Sequence, residues 1–352
     1  MFLLFLAIIL FISFYLLAHI CDKYFVDSLD RIAKKWNMPS DVAGATLMAV
    51  GSSAPELFVA IISLFGVGGN EEIGMGTIVG SALFNVLVII GASAVVKKAV
   101  LNWQPVLRDT AFYSLSIIMI LVAFQDGQID LGEASMFVVL YIVYIISVTN
   151  WRKDLDDGTK VHEESKKEEK EVEEKEGLIT RFMTPINFLL AKFFRSPQHY
   201  IWNFSLSIFF IAGLSWVLVE SAVEISHILH IPKAIVALTI LAAGTSIPDL
   251  MSSLIVARQG RGAMAISNAI GSNIFDVLFG FGVPWIIMLS ITGESIPVAR
   301  ENLISSVVLL FATVLVIFFL LMVRHWKIGR RAGWFLIGLY IFYLIWSIKQ
   351  VL

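Results

Sequence analysis

Apolar runs of about 20 residues recur along the whole chain, parted by short polar breaks, and that is the length a helix needs to cross a bilayer. Ten runs can be drawn, at approximately 2–20, 41–66, 73–96, 108–125, 133–150, 201–221, 233–257, 263–290, 302–323 and 332–350. A soluble domain carries about a quarter of its residues as Asp, Glu, Lys and Arg. Here that share is 15%, against 58% hydrophobic, and much of it is confined to residues 152–176. A soluble α/β architecture would find no water-facing helix faces in the rest. The single cysteine, Cys21, excludes an intramolecular disulfide and reads as a packing residue. The first run has no Lys or Arg before Lys23 and no small-residue cleavage pattern behind it. It reads as a membrane span, not a secretory signal. The expected fold class is an all-α integral membrane protein.

Loop charges set the orientation. With the N-terminus outside, the inner loops hold Lys23, Arg31, Lys34, Lys35, Lys97, Lys98, Arg108, Arg258, Arg261, Arg324, Lys327, Arg330 and Arg331. That is thirteen charges, against three outside (Lys233, Arg300 and Lys349), and losing or adding one central span would erase the difference. Both termini are therefore expected outside, in a plasma or other cell membrane. A tract at 151–198 divides the chain into halves at 1–150 and 199–352. Its charged part buries too little apolar surface to fold alone and reads as a solvated cytoplasmic linker. The more apolar 178–198 reads as a helix along the inner membrane surface.

The halves repeat each other. VAGATLMAVGSSAPEL (42–57) matches IVALTILAAGTSIPDL (235–250), and GSALFNVL (80–87) matches GSNIFDVL (271–278). The repeated regions span about 41–96 and 233–290, and five spans separate each motif from its copy. An odd number reverses polarity, so the expected architecture is ten helices in two inverted five-helix repeats. Transporters built this way bind substrate at the repeat interface on discontinuous helices. Spans 41–66, 233–257 and 263–290 read as interrupted or unusually polar. Gly51 and Pro55 bracket the first break, Gly244 and Pro248 the second. Proline removes an N–H and crowds the carbonyl four residues back. Freed carbonyls are expected around Ala49 and Ala242, and in a membrane they need partners.

Glu56, Asp249 and Asp276 lie within spans, where an acid is costly and marks a functional site. Ser52 stands four residues before Glu56, Thr245 before Asp249, Ser81 before Asn85, and Ser272 before Asp276. Each pair shares a helix face, so four segments present a hydroxyl with a carboxylate or amide. These are hard oxygen donors without Cys or His, the set that calcium or an alkali cation takes. One such motif alone would mark a kink; two copies with acids in register mark a site. The three acids total −3, which one calcium with one potassium neutralises, as do three sodium ions. Shared ligands make the two loads mutually exclusive, as antiport requires. Glu220 and Glu224 read as interfacial, the histidines as loop or span-end residues. Trp103, Trp151 and Trp202 read as interface anchors, and Trp285 as packing.

These paired motifs resemble the two α-repeats of the cation/calcium antiporter superfamily. GSSAPELF, GTIVGSALFNVL, GTSIPDL, GSNIFDVLFGFGVPW and HICDKYFV (19–26) are most similar to its potassium-dependent sodium/calcium exchanger branch. The resemblance implies Glu56 and Asp249 as central calcium ligands, supported by Ser52, Ser53, Thr245 and Ser246 and by the carbonyls of Ala49 and Ala242. It implies sodium for the hydroxyls of Ser81 and Ser272, and second-helix polar positions for Asn85 and Asp276. It links Asp276 to potassium, though an acid there does not by itself prove potassium use. It implies alternating access by sliding of spans one and six, with a monomer sufficient and no cofactor. The linker is shorter than in most animal exchangers and holds no calcium-sensing domain, so regulation by cytosolic calcium is not expected. A calcium/proton antiporter of the same superfamily is the alternative, although those carry Asn where this chain has Ser52 or Thr245. A channel fits an intrachain inverted repeat poorly, and no nucleophile–base pair suggests an enzyme.

Overall fold

The computed structural model describes residues 2–35, 49–66, 70–153, 184–258, 260, 262–298 and 300–349. The first residues of the span expected at 41–66, the charged linker at 154–183 and Arg261 lie outside them.

The chain opens with α1 (Phe2–Ile20), which runs on through a π-helical turn at Cys21–Val26 into α2 (Asp27–Lys35). The span expected at 2–20 is only the first part of this rod. Nothing in HICDKYFV is a helix breaker, so the backbone ladder continues past the end of the apolar run. His19, expected at a span end, is therefore mid-rod, stacked on Tyr15 at 6.0 Å between ring centres. Cys21 is fully buried.

Next come α3 (Ala49–Ser52) and α4 (Ala54–Phe65). Helix α5 (Glu71–Phe84) passes through a π-helical turn, Asn85–Ile89, into α6 (Ile90–Val96). Then follow α7 (Trp103–Ala123), α8 (Leu131–Lys153) and the short α9 (Thr184–Ala191). Among the described residues, the helix expected within 178–198 is confined to α9 and a 3-10 turn at Pro197–His199.

The second half has α10 (Tyr200–Leu229), then α11 (Lys233–Val236), a π-helical turn at Ala237–Leu241, α12 (Ala242–Thr245) and α13 (Ile247–Arg258). Helix α14 (Gly262–Thr292) is polar but unbroken, with Pro284 accommodated inside it. Helices α15 (Arg300–Val323) and α16 (Arg330–Lys349) complete the chain. Eight helical stretches among the described residues are long and apolar enough to cross a membrane.

Two small antiparallel pairings clip loops together. β1 (Ala99–Val100) pairs with β4 (Lys327–Ile328), and β2 (Gln128–Ile129) with β3 (Ile296–Pro297). Lys233 Nζ donates to Asn70 Oδ1 at 2.8 Å, joining two further loops. Arg108, read as a loop charge, lies inside α7 and is paired with the buried Asp109 at 2.8 Å.

The buried apolar side chains form two separate clusters. The larger is built mainly from α5 to α8 and α14 to α16. There Trp285 stacks on Phe281 at 4.6 Å, a packing role as expected. The smaller centres on α1, α2 and α10, with Leu190 and Phe194 from the end of the linker, and also takes in Val59 of α4, Ile73 of α5, Val236 of α11 and Leu241 of the π-helical turn after it. Phe194 stacks on Tyr24 at 3.7 Å, and Asn187 Nδ2 donates to Tyr15 Oη at 2.7 Å. The linker's end is thus tied to the first rod. The two halves approach closely where α5 crosses the π-helical turn at Ala237–Leu241. A Cβ on Gly80 would collide with the carbonyl oxygen of Leu238, so only glycine permits this backbone approach.

Candidate functional site

The two repeated motifs break their helices at matched residues. Ser53 separates α3 from α4 with φ −93° and ψ 9°. Ser246 separates α12 from α13 with φ −82° and ψ 5°. Both are in the sparsely populated bridge region. The helix restarts at once in each copy, because Leu57 N donates to Ser53 O at 3.1 Å and Leu250 N to Ser246 O at 3.0 Å. Pro55 and Pro248 each stand second in the new helix, where a missing N–H costs nothing. Glu56 and Asp249 therefore fall in the first turns of α4 and α13. Free N–H groups and the positive end of the macrodipole favour a carboxylate there.

The four segments converge, and the donors cross between halves. Ser246 Oγ of the second half donates to Glu56 Oε1 of the first at 3.1 Å, and Thr245 also bonds Glu56. Asn85 Nδ2 of the first half lies 3.4 Å from Asp249 Oδ2 of the second. Ser272 Oγ reaches Asp249 Oδ1 at 3.5 Å, and Ser52, also bonded to Asp249, lies 3.4 Å from Ser272. Asp276 is faced by Ser53 and sits within electrostatic reach of both other acids. Glu56, Asp249, Asp276, Asn85, Ser53 and Ser246 are all buried.

Among the described residues, several oxygens here have no hydrogen-bond partner: Glu56 Oε2, both carboxylate oxygens of Asp276, Asn85 Oδ1 and Ser53 Oγ. Buried acceptors without donors are costly unless something positive meets them. All are hard oxygens, the chemistry that fits calcium and alkali cations. Among the described residues, no three His, Cys, Asp or Glu side chains form a metal-holding group on their own. The donor set is mixed, with hydroxyls and an amide completing the carboxylates.

One expectation needs correction. The carbonyl of Ala242 is engaged, accepting from Ser246 N at 3.3 Å and lying 3.4 Å from Thr245 Oγ1. The acceptor that Pro248 deprives is four residues back, at Gly244. Ala49 opens α3, four residues long. Ser81 is buried in place, and its hydroxyl donates to Ile78 O of its own helix at 2.9 Å, which leaves its lone pairs open to a cation. Around the two central acids the hydrogen bonds run mostly between halves, from Ser246 to Glu56 and from Asn85 to Asp249, with Ser272 to Asp249 staying within the second half. Glu220 and Glu224 are exposed on α10.

Asn273 was not anticipated. Its Nδ2 donates to Ala82 O at 3.0 Å and to Tyr113 Oη at 2.9 Å. Its Oδ1 accepts from Asn85 Nδ2 at 2.8 Å. Because Ala82 O can only accept, the amide of Asn273 has one possible orientation. Asn85 must then present its Nδ2 to Asn273, which leaves Asn85 Oδ1 for the site. The available signal was the mismatch GSA against GSN, where Asn273 aligns with Ala82.

The sodium/calcium exchanger protein family matches residues 6–150 and 199–349. The sodium/potassium/calcium exchanger 4 of Mus musculus is 28% identical, over 95% of this chain and 79% of its own length. The sodium/potassium/calcium exchanger 1 of Gallus gallus is 27% identical over 95% of this chain and 77% of its length. Among solved structures, the H+/Ca2+ exchanger CAX superposes with a TM-score of 0.72 at 16% identity, covering 97% of this chain and 82% of that one. The sodium-calcium exchanger NCX_Mj gives 0.60 at 22% identity, covering 97% and 98%. The chain belongs to the sodium/calcium exchanger protein family and is an integral, multi-pass membrane protein.

Proposed function

We propose that this chain is a secondary active antiporter that exchanges sodium for calcium across a cell membrane. The observation that carries the reading is the crossed site, in which each half's central acid is held by the other half's hydroxyls or amide while further buried oxygens wait unpaired. Glu56 and Asp249 are the central calcium ligands, with Ser52, Ser53, Thr245, Ser246, Ser272 and Asn85 beside them. Asp276 carries the remaining charge. The relatives are named sodium/potassium/calcium exchangers, and in this reading potassium travels with calcium. No cofactor is needed, and one monomer suffices.

The architecture proposed is ten spans in inverted five-helix repeats, adding α3–α4 and α16 to the eight long apolar stretches. The clipped loops support it. β1·β4 joins the loops after the third and ninth spans, β2·β3 those after the fourth and eighth, and Lys233–Asn70 those after the second and sixth. Every pair has equal parity, as strict alternation across a membrane demands. With the basic loops inside, both termini lie outside and the linker is cytoplasmic. Alternating access by sliding of α1 and α10, the first and sixth spans, past the repeat core completes this reading.

The test is calcium uptake by the purified protein in sodium-loaded liposomes, with and without potassium, and with a proton gradient alone. Uptake that needs an outward sodium gradient is expected. Uptake driven by protons without sodium would overturn this reading in favour of calcium/proton antiport. That arm is needed because the fold is shared with a proton-coupled exchanger.

A further inference from the structure

The loops after α6 and α15 enclose an open cavity of about 440 Å³, lined by Lys98, Arg324, Lys327, Arg330 and Arg331 with Gly329. All five cations are exposed. None of the five makes a side-chain hydrogen bond or an ion pair among the described residues. Sidedness of charge orients a membrane protein, but it does not require the charges to converge. Here they converge, and the backbone is strained to bring them together. His325 and Trp326 are consecutive non-glycine residues at φ 51° and 60°, a left-handed conformation that L side chains resist. The strain is held by β1·β4 and by Leu101 N donating to Trp326 O at 2.9 Å. Arg330 and Arg331 also open α16, whose first turn has no acid. The positive end of a helix dipole is where cations are least favourable. An anion in the cavity relieves both the mutual repulsion and the misplaced arginines.

Large apolar side chains flank the same residues in sequence and are exposed: Val96, Val100, Val323, Trp334 and Phe335. Trp334 stands four residues after Arg330, on the same face of α16. A soluble anion makes no use of such a flank, whereas acyl chains do. We propose that this cavity holds the phosphate headgroup of an anionic phospholipid, with its chains against α15 and α16. Basic pockets at helix ends on the inner side of a membrane suit this chemistry. The leaflet rests on the orientation proposed above; the binding does not.

The experiment is native mass spectrometry of the full-length protein in detergent. It is titrated with phosphatidylglycerol, with phosphatidylcholine, and with inorganic phosphate alone. Phosphatidylglycerol should bind about tenfold more tightly than phosphatidylcholine. Each lost charge should weaken it about fivefold, so the Lys327→Gln/Arg330→Gln/Arg331→Gln protein should lose the preference. Arg258→Gln, a basic residue outside the cavity, should keep it. The proposal fails if the triple variant retains the preference, if Arg258→Gln loses as much, or if inorganic phosphate displaces the lipid. Should the triple variant not fold, Lys98→Gln and Arg324→Gln must each show the fivefold loss, and two unaffected single variants overturn the proposal. The readout involves no transport, so failure here and failure of the antiport reading are separate results.

Discussion

Ser246 of the second half donates its hydroxyl to Glu56 of the first half across 3.1 Å, although the two are 190 residues apart in sequence. In the first repeat the counterpart hydroxyl, Ser53 Oγ, has no hydrogen-bond partner among the described residues. Losing a hydrogen bond to a buried charged group costs roughly 1–3 kcal/mol. Ser246→Ala should therefore weaken calcium activation of transport by about tenfold, measured as the calcium concentration at half-maximal uptake. An unchanged value would show that the bond contributes nothing to cargo binding.

Neutralising the central acids should be more severe. Glu56→Gln and Asp249→Asn should each abolish sodium-driven calcium uptake while the protein stays monodisperse on size exclusion. Full uptake by either variant would remove that residue from the proposed site.

Asn273 acts through Asn85. Asn273→Ala removes the acceptor that fixes the Asn85 amide, so Asn85 is free to turn its Nδ2 toward the cations. The calcium concentration for half-maximal uptake should rise about tenfold, with a smaller change in maximal rate. Tyr113→Phe leaves the bond to Ala82 O and should shift the same value by less than about threefold. Equal effects of the two changes would indicate a packing role for the whole group.

Asp276 is the asymmetric member of the repeats, since its counterpart is Asn85. Asp276→Asn makes the two alike and removes one charge. Any potassium dependence of calcium uptake should disappear in that variant, and persistence of the dependence would separate Asp276 from potassium.

Gly80→Ala should lower the thermal stability of the detergent-solubilised protein. Its new Cβ meets the carbonyl of Leu238 rather than a movable side chain, and overpacking of this kind costs about 1–3 kcal/mol. A melting temperature equal to that of the parent would mean the halves separate easily at this crossing.

Much of this was legible in the sequence. Gly51 to Glu56 and Gly244 to Asp249 carry their own local instructions, a proline that restarts a helix and an acid suited to its first turn. That logic is local, so it survives without a structure. The rod from α1 to α2 was not legible, because hydropathy falls after Ile20 although the backbone ladder continues. There Asp27 and Arg31 pair at 2.9 Å on successive turns, and a narrow inward face of Tyr24, Phe25 and Leu29 is buried while the charges stay outside. Arg108 looked like a loop charge because its partner Asp109 is meaningful only when both are buried. Asn273 depends on Ala82, Tyr113 and Asn85 meeting from separate helices, and no spacing rule brings those together. The engaged carbonyl of Ala242 follows from how abruptly the helix restarts, which composition does not encode.

The crossing of donors and acids has a consequence for how such a chain can be divided. Each half's central acid draws on the other half, Glu56 on Ser246 and Asp249 on Asn85. The molecule is in effect a heterodimer of its own halves, joined by a tether. Expressed apart, neither 1–150 nor 199–352 could keep its carboxylate in the bilayer, whereas together they should reassemble around the cations without the linker. Duplication would then have fixed the pairing permanently, because once Asn85 and Asp276 diverged, two copies of the same half no longer made a complete set.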